Sequence, residues 1–367
     1  MPPKGVPRHA GSMFLSIRDL VFAKGRFALM SVVLFLISLM VVMLSGLTAG
    51  LGNQSIAAIK NLGANQFAFG APAEGQSLSF SDSQVTERQQ QALAATPGVD
   101  SAALIGIAPT RITVDGRDVS ASAFGVDGSS FAAPVPLSAG HIAVDRTLAE
   151  ENDWSEGRTV EMGGRQFTVT ALVDDSLYSH QPVVWVERSD WLALPTAGGS
   201  EGTVVAMRTS SGFDAASAAT ATDTSITDQS GALNAIGSYT SERSSLLLMQ
   251  VMLLIVSALV VGAFFTIWTI QRGQDLAVLK AVGASTGYLL RDALGQSLIV
   301  LTLGAGLGSL AAVGLGSIAS QAVPFTLTVS GTLLPFFALI GLGMLGAAAA
   351  LTRIVSVDPL TALNSAR

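Results

Sequence analysis

Residues 242–286 read ERSSLLLMQVMLLIVSALVVGAFFTIWTIQRGQDLAVLKAVGAST, and this stretch decides what kind of protein the chain is. From Ser244 to Gln271 it carries no charged side chain, long enough to cross a bilayer core with some tilt. From Arg272 to Ser285 the spacing is that of a short amphipathic helix with a glycine stop. A membrane helix running straight into a polar docking element accounts for both halves. A soluble fold would have to bury the first half and leaves the second unexplained.

The composition agrees. Hydrophobic residues make up 49% of the 367 and charged residues 13%, where a soluble chain carries about a quarter charged. The charge is uneven. Residues 51–240 hold 21 Asp/Glu and 9 Lys/Arg, a net −12, and the rest holds 5 and 11, a net +6. An acidic, water-exposed domain is therefore inserted into a basic, apolar frame. With no cysteine, that domain folds without disulfides and the chain has no cysteine metal site.

In chain order, Met1–Ser12 reads as a flexible basic leader, with Met13 a second candidate start. It is not a cleavable signal peptide, because the apolar run behind it is too long. Residues 13–26 place Phe14, Ile17, Leu20 and Val21 at helical spacing, predicting an amphipathic helix in the membrane interface. A first membrane helix is expected over 27–50. The uncharged run continues to Ile59, so the helix is expected to project as a stalk.

Residues 51–240 alternate in the manner of strands at Arg111–Val114, Arg117–Phe124, Arg165–Val173 and Pro182–Glu187, with helices at Ser83–Thr96 and Thr147–Asn152. Ala215–Gly237 reads as return loop plus short strands. The domain is α+β. The second membrane helix is 244–271, followed by a cytoplasmic element over 272–289. The uncharged run Ala293–Thr352 is about twice what one span needs. It breaks at Ser320–Gly331, around Pro324, into a third helix over 290–318 and a fourth over 332–352, with a tail over 353–367. The fold class is thus an α-helical membrane protein with four transmembrane helices and a large α+β extracytoplasmic domain between helices 1 and 2. Lys and Arg flank the first helix on its N-terminal side, the 272–291 segment and the C-terminal end. By the positive-inside rule both termini lie in the cytoplasm.

This layout resembles the permease subunit of a type VII ABC transporter, the MacB/FtsX-like group. Arg272–Ser285 is similar to the family's R-x-x-E-I-x-x-L-R-A-L-G-A-[ST] coupling motif, with Asp275 and Lys280 in place of the usual Glu and Arg. Val357–Leu363 resembles its D-P-x-x-A-L ending, and Ala139–Ala149 its G-x-x-x-[IV]-x-x-x-[LF]-A segment. The resemblance spans Phe14 to Leu363. No G-x-x-x-x-G-K-[ST] phosphate loop occurs, so the chain is expected to be no enzyme. The resemblance implies a separate ABC ATPase subunit carrying ATP and Mg, with two permeases and two ATPases per complex. It further implies mechanotransmission, in which the ATPases move the coupling element and the second helix relays that movement outward. Leu276, Leu279 and Val282 offer an apolar ridge for an ATPase groove, flanked by Arg272, Asp275 and Lys280. Partners are then the ATPase, a second permease copy and membrane lipid; no nucleic acid is expected.

Substrate candidates lie at the outer membrane edge. Tyr239 and Glu242 are ionisable groups beside the second helix, and either could ligate a ferric iron; the plainer reading is an interfacial anchor with a Glu242–Arg243 contact in water. Met40 and Met43, and Met249 and Met252, sit at i,i+3 spacing. They could line a porphyrin or lipid pocket or simply fill space. The small size resembles the haem exporter branch, making haem the best single substrate. Peptide, lipid or lipoprotein export, and a non-transporting regulator of an outside partner, remain alternatives. No protein cofactor and no dedicated metal site is expected. His141 and His180 read as surface histidines, Asp174-Asp175 as a solvated turn, and Gly304, Gly306 and Gly308 as helix-packing glycines rather than a nucleotide fingerprint.

Overall fold

Long uncharged runs bounded by polar residues become long helices. The computed structural model describes residues 24–271, 282–283 and 285–355. Helix α1 spans Lys24–Lys60, 37 residues or about 55 Å, so the extension expected beyond Gly50 is part of one unbroken helix. The chain divides into two compact units, Leu51–Ser244 and the helical segments on either side of it.

In the inserted unit, β1 (Gln66–Gly70) precedes α2 (Glu87–Ala94), which begins later than the sequence pattern suggests. Thr86 explains this. It caps α2 in a capping box with Gln89, which fixes the first turn and leaves Ser83–Val85 outside. Then come β2 (Val99–Val114), β3 (Arg117–Val126), β4 (His141–Asp145), α3 (Arg146–Glu151), β5 (Thr159–Met162), β6 (Arg165–Val173), β7 (Leu177–Tyr178) and β8 (Gln181–Glu187). After α4 (Arg188–Leu192) and a 3₁₀ turn at Pro195–Ala197, the unit ends with β9 (Val204–Thr209), α5 (Ala215–Thr222), β10 (Thr224–Asp228) and α6 (Gln229–Asn234). Within residues 215–237 the expected short strand is β10, but the rest corrects the expectation of a loop. Asp214 and Asp228 cap two helices there, a role that a polar, Ala-rich composition conceals.

The strand order is β10-β1-β9-β2-β3-β8-β4-β6-β5, and β5 pairs back onto β2. Strand β2 is the shared member. Its first half, through Ile105, pairs β9, and its second half pairs β3 from Gly106 onward. The strands from β2 round to β5 thus close on themselves, while β10-β1-β9 extend as an open antiparallel arm. The closed part encloses Ile112, Phe167, Val169 and Trp191. A second core joins Phe67, Phe69 and Phe124 to Ile56 and Ile59 of α1 and to Leu62 just after it, so the end of that helix is part of the domain core.

Helix α7 spans Gly237–Gln271, α8 Thr286–Ala319 and α9 Val329–Val355. Each begins before its expected span. Residues 286–289, expected in the cytoplasmic element, belong to α8, because Ser285 caps it through the Tyr288 amide at 3.3 Å. Residues 13–23 of the expected interfacial helix, residues 272–281 of the coupling element and the tail from 356 lie outside the described residues. All four long helices, α1, α7, α8 and α9, are long and apolar enough to cross a membrane by length and composition.

Small residues let these helices touch. A Cβ on Gly304 would lie 2.7 Å from Leu34 Cβ, and one on Gly308 2.4 Å from the Phe35 carbonyl oxygen. Ser38 Oγ donates to the Ala305 carbonyl at 2.8 Å. Helix α8 thus lies directly against α1 at Gly304 and Gly308, while Gly306 has only distant contact. The loop after α8 is seated the same way. Phe325 fits against Gly46 and Gly316, the Pro324 carbonyl rests on Gly50, and the Thr326 amide donates to the Gly46 carbonyl at 3.1 Å.

This seat makes a discriminating prediction. A Cβ at Gly46 meets the Phe325 ring at 2.2 Å, whereas one at Gly50 meets the Pro324 carbonyl oxygen at 2.0 Å. Gly46→Ala and Gly50→Ala should each destabilise the purified chain in thermal unfolding by about 1–3 kcal/mol. Adding Phe325→Ala should rescue Gly46→Ala, because it removes the ring, and fail to rescue Gly50→Ala, where backbone is met.

Candidate functional site

The sequence of the β7–β8 hairpin sets up a strained turn. Leu177 pairs with Pro182 and Tyr178 with Gln181, leaving Ser179 and His180 as a two-residue loop. Both have positive φ, 50° and 62°, as a type I′ turn requires. Neither is the Asn or Gly that adopts this conformation cheaply, so other contacts must hold the turn.

Those contacts come from the two long helices. The Ser179 amide donates to the Ser55 carbonyl at 3.0 Å and the His180 amide to the Gln54 carbonyl at 3.3 Å, both on α1. Ser179 Oγ donates to Ser238 Oγ at 2.9 Å on α7. His180 Nε2 lies 2.8 Å from Ser55 Oγ and 2.7 Å from Glu242 Oε1. One imidazole nitrogen therefore joins α1 to α7. A carboxylate is the stronger acceptor, so the geometry suits an Nε2–H directed at Glu242. The other oxygen, Glu242 Oε2, is buried and has no hydrogen-bond partner.

This corrects two readings of the sequence. His180 is not a surface histidine: its side chain is 29% exposed and joins two helices. Glu242 pairs with His180, while Arg243 lies 5.8 Å from the Tyr239 ring centre. Tyr239 itself packs on α1 at Gly52, where a Cβ would come within 3.2 Å of its ring. The signal for His180 was weak in sequence, because a lone histidine in a glycine-free hairpin matches no turn rule. His141 does stay near the surface, with Nδ1 3.1 Å from the Ala139 carbonyl oxygen. Asp174 pairs with Arg146, and Asp175 takes a positive φ in the turn. Among the described residues no three His, Cys, Asp or Glu side chains converge as a metal site.

The remaining candidates belong to the helical unit. Met40 and Met249 are 55% and 50% exposed, Met252 is also exposed and Met43 is half-buried. The exposed Met40, Met249 and Met252 lie outside the helical core formed by residues such as Leu34, Phe265 and Leu301. Of the coupling residues, Arg272, Asp275, Leu276, Leu279 and Lys280 lie outside the described residues. Val282 is described and 84% exposed, and Gly283 has φ 100°, a backbone conformation that favours glycine.

A family model described as MacB-like periplasmic core domain matches residues 27–225, more than half of the chain, and one described as FtsX-like permease C-terminal matches residues 231–359. The chain belongs to the MacB/FtsX-type ABC transporter permeases. This permease is accordingly a multi-pass membrane protein that works with an ATPase subunit, and the chain itself contains no ATPase domain. One relative, from Staphylococcus haemolyticus, is named hemin transport system permease protein HrtB. It is 24% identical over 364 residues, covering 96% of this permease and 99% of that protein. An uncharacterized ABC transporter permease of Mycobacterium tuberculosis is 25% identical over 370 residues, with the same coverages. Among solved structures, the periplasmic region of MacB from Actinobacillus actinomycetemcomitans aligns with 46% of this permease and 90% of that chain, at 15% identity and a TM-score of 0.35. Within the permease, the family-like segment Ala139–Ala149 forms β4 and α3. Asp145 there accepts hydrogen bonds from the Leu148 and Ser176 amides, and burial raises its pKa above the usual carboxylate value against those bonds. Its role is structural.

The clasp can be tested apart from its strain. His180→Ala removes the bond to Glu242 and leaves a partly buried carboxylate unpaired, which should cost about 1–2 kcal/mol in thermal unfolding. His180→Gly removes the same bond but relieves the positive φ, and should be less destabilising by roughly 0.5–1 kcal/mol. Equal losses would mean that the turn stores no strain.

Proposed function

We propose that this permease works by mechanotransmission and exports haem from the outer leaflet of the membrane, as one of two permeases in a complex with two ATPases. The observation that carries the haem reading is Glu242: His180 holds one carboxylate oxygen, and the other is buried without a partner. A carboxylate oriented in this way is suited to ligate ferric iron, with Tyr239 three residues away on the same helix. The name of the staphylococcal relative points in the same direction. Mechanotransmission is supported by α1 and α7, which run unbroken into the domain and meet at His180.

A permease homodimer is supported by α7. Only 11% of its most apolar window is buried, against 39% in α8. Leu247, Leu248, Val251, Met252 and Ile255 are all exposed. A second copy or lipid must cover this surface, and Met40 and Met249 would contribute to it. The distribution of Lys and Arg supports a topology with both termini in the cytoplasm.

Ferric haem titrated into the purified permease–ATPase complex should produce a saturable Soret shift and alter ATP hydrolysis. Glu242→Ala should weaken haem binding at least about tenfold, and Tyr239→Phe should weaken it less. Absence of saturable binding, together with an ATPase rate indifferent to haem, would exclude haem as substrate.

Docking is tested separately. Leu279→Asp places a charge on the apolar ridge and should abolish co-purification with the ATPase while leaving the thermal unfolding of the permease unchanged. Assembly and activity equal to wild type would remove Leu279 from the interface.

A further inference from the structure

A cleft of about 570 Å³ opens in the inserted unit between the loop before α2, the β7–β8 hairpin and the segment around the 3₁₀ turn. Its floor comes from Ile107 on β2 and Ser122 on β3, and its sides include Tyr178, Gln181, Trp191 and Thr203. We propose that this cleft binds a neutral small molecule rich in hydroxyl and amide groups, of the N-acetylated disaccharide class, at a site separate from the export substrate.

The size falls within the range of ligand pockets. The chemistry selects the ligand. No Asp, Glu, Lys, Arg or His lines the cleft, so a charged ligand would lose hydration without compensation. That argues against haem, with its two carboxylates. The polar lining is instead hydroxyl and amide groups, which both donate and accept. A sugar with acetamido groups presents the same mixture. Trp191 is 1% exposed with its Nε1 donor enclosed, so it backs the cleft as buried support. Burial raises the Tyr178 phenol pKa further above its usual value, so it stays protonated as a neutral donor. A second hollow of about 460 Å³ shares Pro109, Gln181 and Thr196 with the first. That hollow carries Arg111, so the uncharged site is the first cleft alone.

The position gives binding a consequence. Tyr178 and Ser179 line the cleft, and the next residue is His180, which holds α1 to α7. A ligand packed against this hairpin stiffens the clasp. The inference stands whether or not haem is the substrate.

The test uses the full chain in lipid nanodiscs, titrated calorimetrically with N,N′-diacetylchitobiose and with chitobiose, the same skeleton carrying two ammonium groups. The neutral sugar should bind saturably with a Kd of about 1 mM or tighter and slow hydrogen exchange at residues 178–181. The cationic sugar should bind at least tenfold more weakly. Ser122→Phe fills the floor and should abolish binding. Because Ser122 is buried and that variant can misfold, Thr196→Trp at the exposed rim provides the second test, with an unchanged unfolding temperature and binding lost. No saturable binding of the neutral sugar, equal binding of the cationic one, or undiminished binding by Thr196→Trp would each overturn the proposal.

Discussion

A single imidazole nitrogen holds together the two helices that carry the chain into and out of its inserted unit. His180 Nε2 reaches both Ser55 on α1 and Glu242 on α7, and the hairpin that presents it adopts a backbone conformation that costs energy at both central residues. The turn persists because its amides and hydroxyl are bonded to the same two helices. Each half of the arrangement explains the other. Without the helices the turn has no reason to hold two non-glycine residues at positive φ, and without the turn Glu242 has no counter-group. Any relative movement of α1 and α7 at this level must therefore act on the hairpin.

The rest of the inserted unit gives that clasp a rigid backing. Strand β2 serves the closed strand ring and the open arm at once, so the two cannot shift independently without breaking its ladder. The end of α1 contributes Ile56 and Ile59 to the same core as Phe67, Phe69 and Phe124. The helix is thus anchored by apolar burial, which is non-directional, and by hydrogen bonds, which are not. In the helical unit the hydrophobic effect gives no preference for helix over lipid, and close contact does the work instead. Gly304 and Gly308 admit Leu34, Phe35 and Ser38, and Gly46, Gly50 and Gly316 admit the Pro324-Phe325 loop. These two sets of glycines tie α1 to α8 along its length and to the loop that follows it.

Legibility in the sequence followed the range of the interaction. Strand β6 coincides with its pattern, Arg165–Val173, because alternation is local and one face is buried. The four long helices were legible because bilayer thickness imposes a run length that little else produces. Caps moved several boundaries by a few residues: Thr86 delayed α2, and Ser285 advanced α8. In the segment 215–237 a short strand is legible, but its two helices are not, because they are short and capped by Asp214 and Asp228, leaving little periodicity to detect.

What the sequence determined by itself is the class of molecule: an apolar four-helix frame, an acidic α+β insertion, and a chain order and set of motifs that match an ABC permease. Each rests on composition or on residues close together in the chain. Tyr239 and Glu242 were visible as ionisable groups at a helix edge for the same reason. Only the tertiary structure decided what Glu242 faces. Its partner is 62 residues away, on a hairpin whose residues follow no turn preference, and a contact between segments so far apart leaves no periodic trace in either of them.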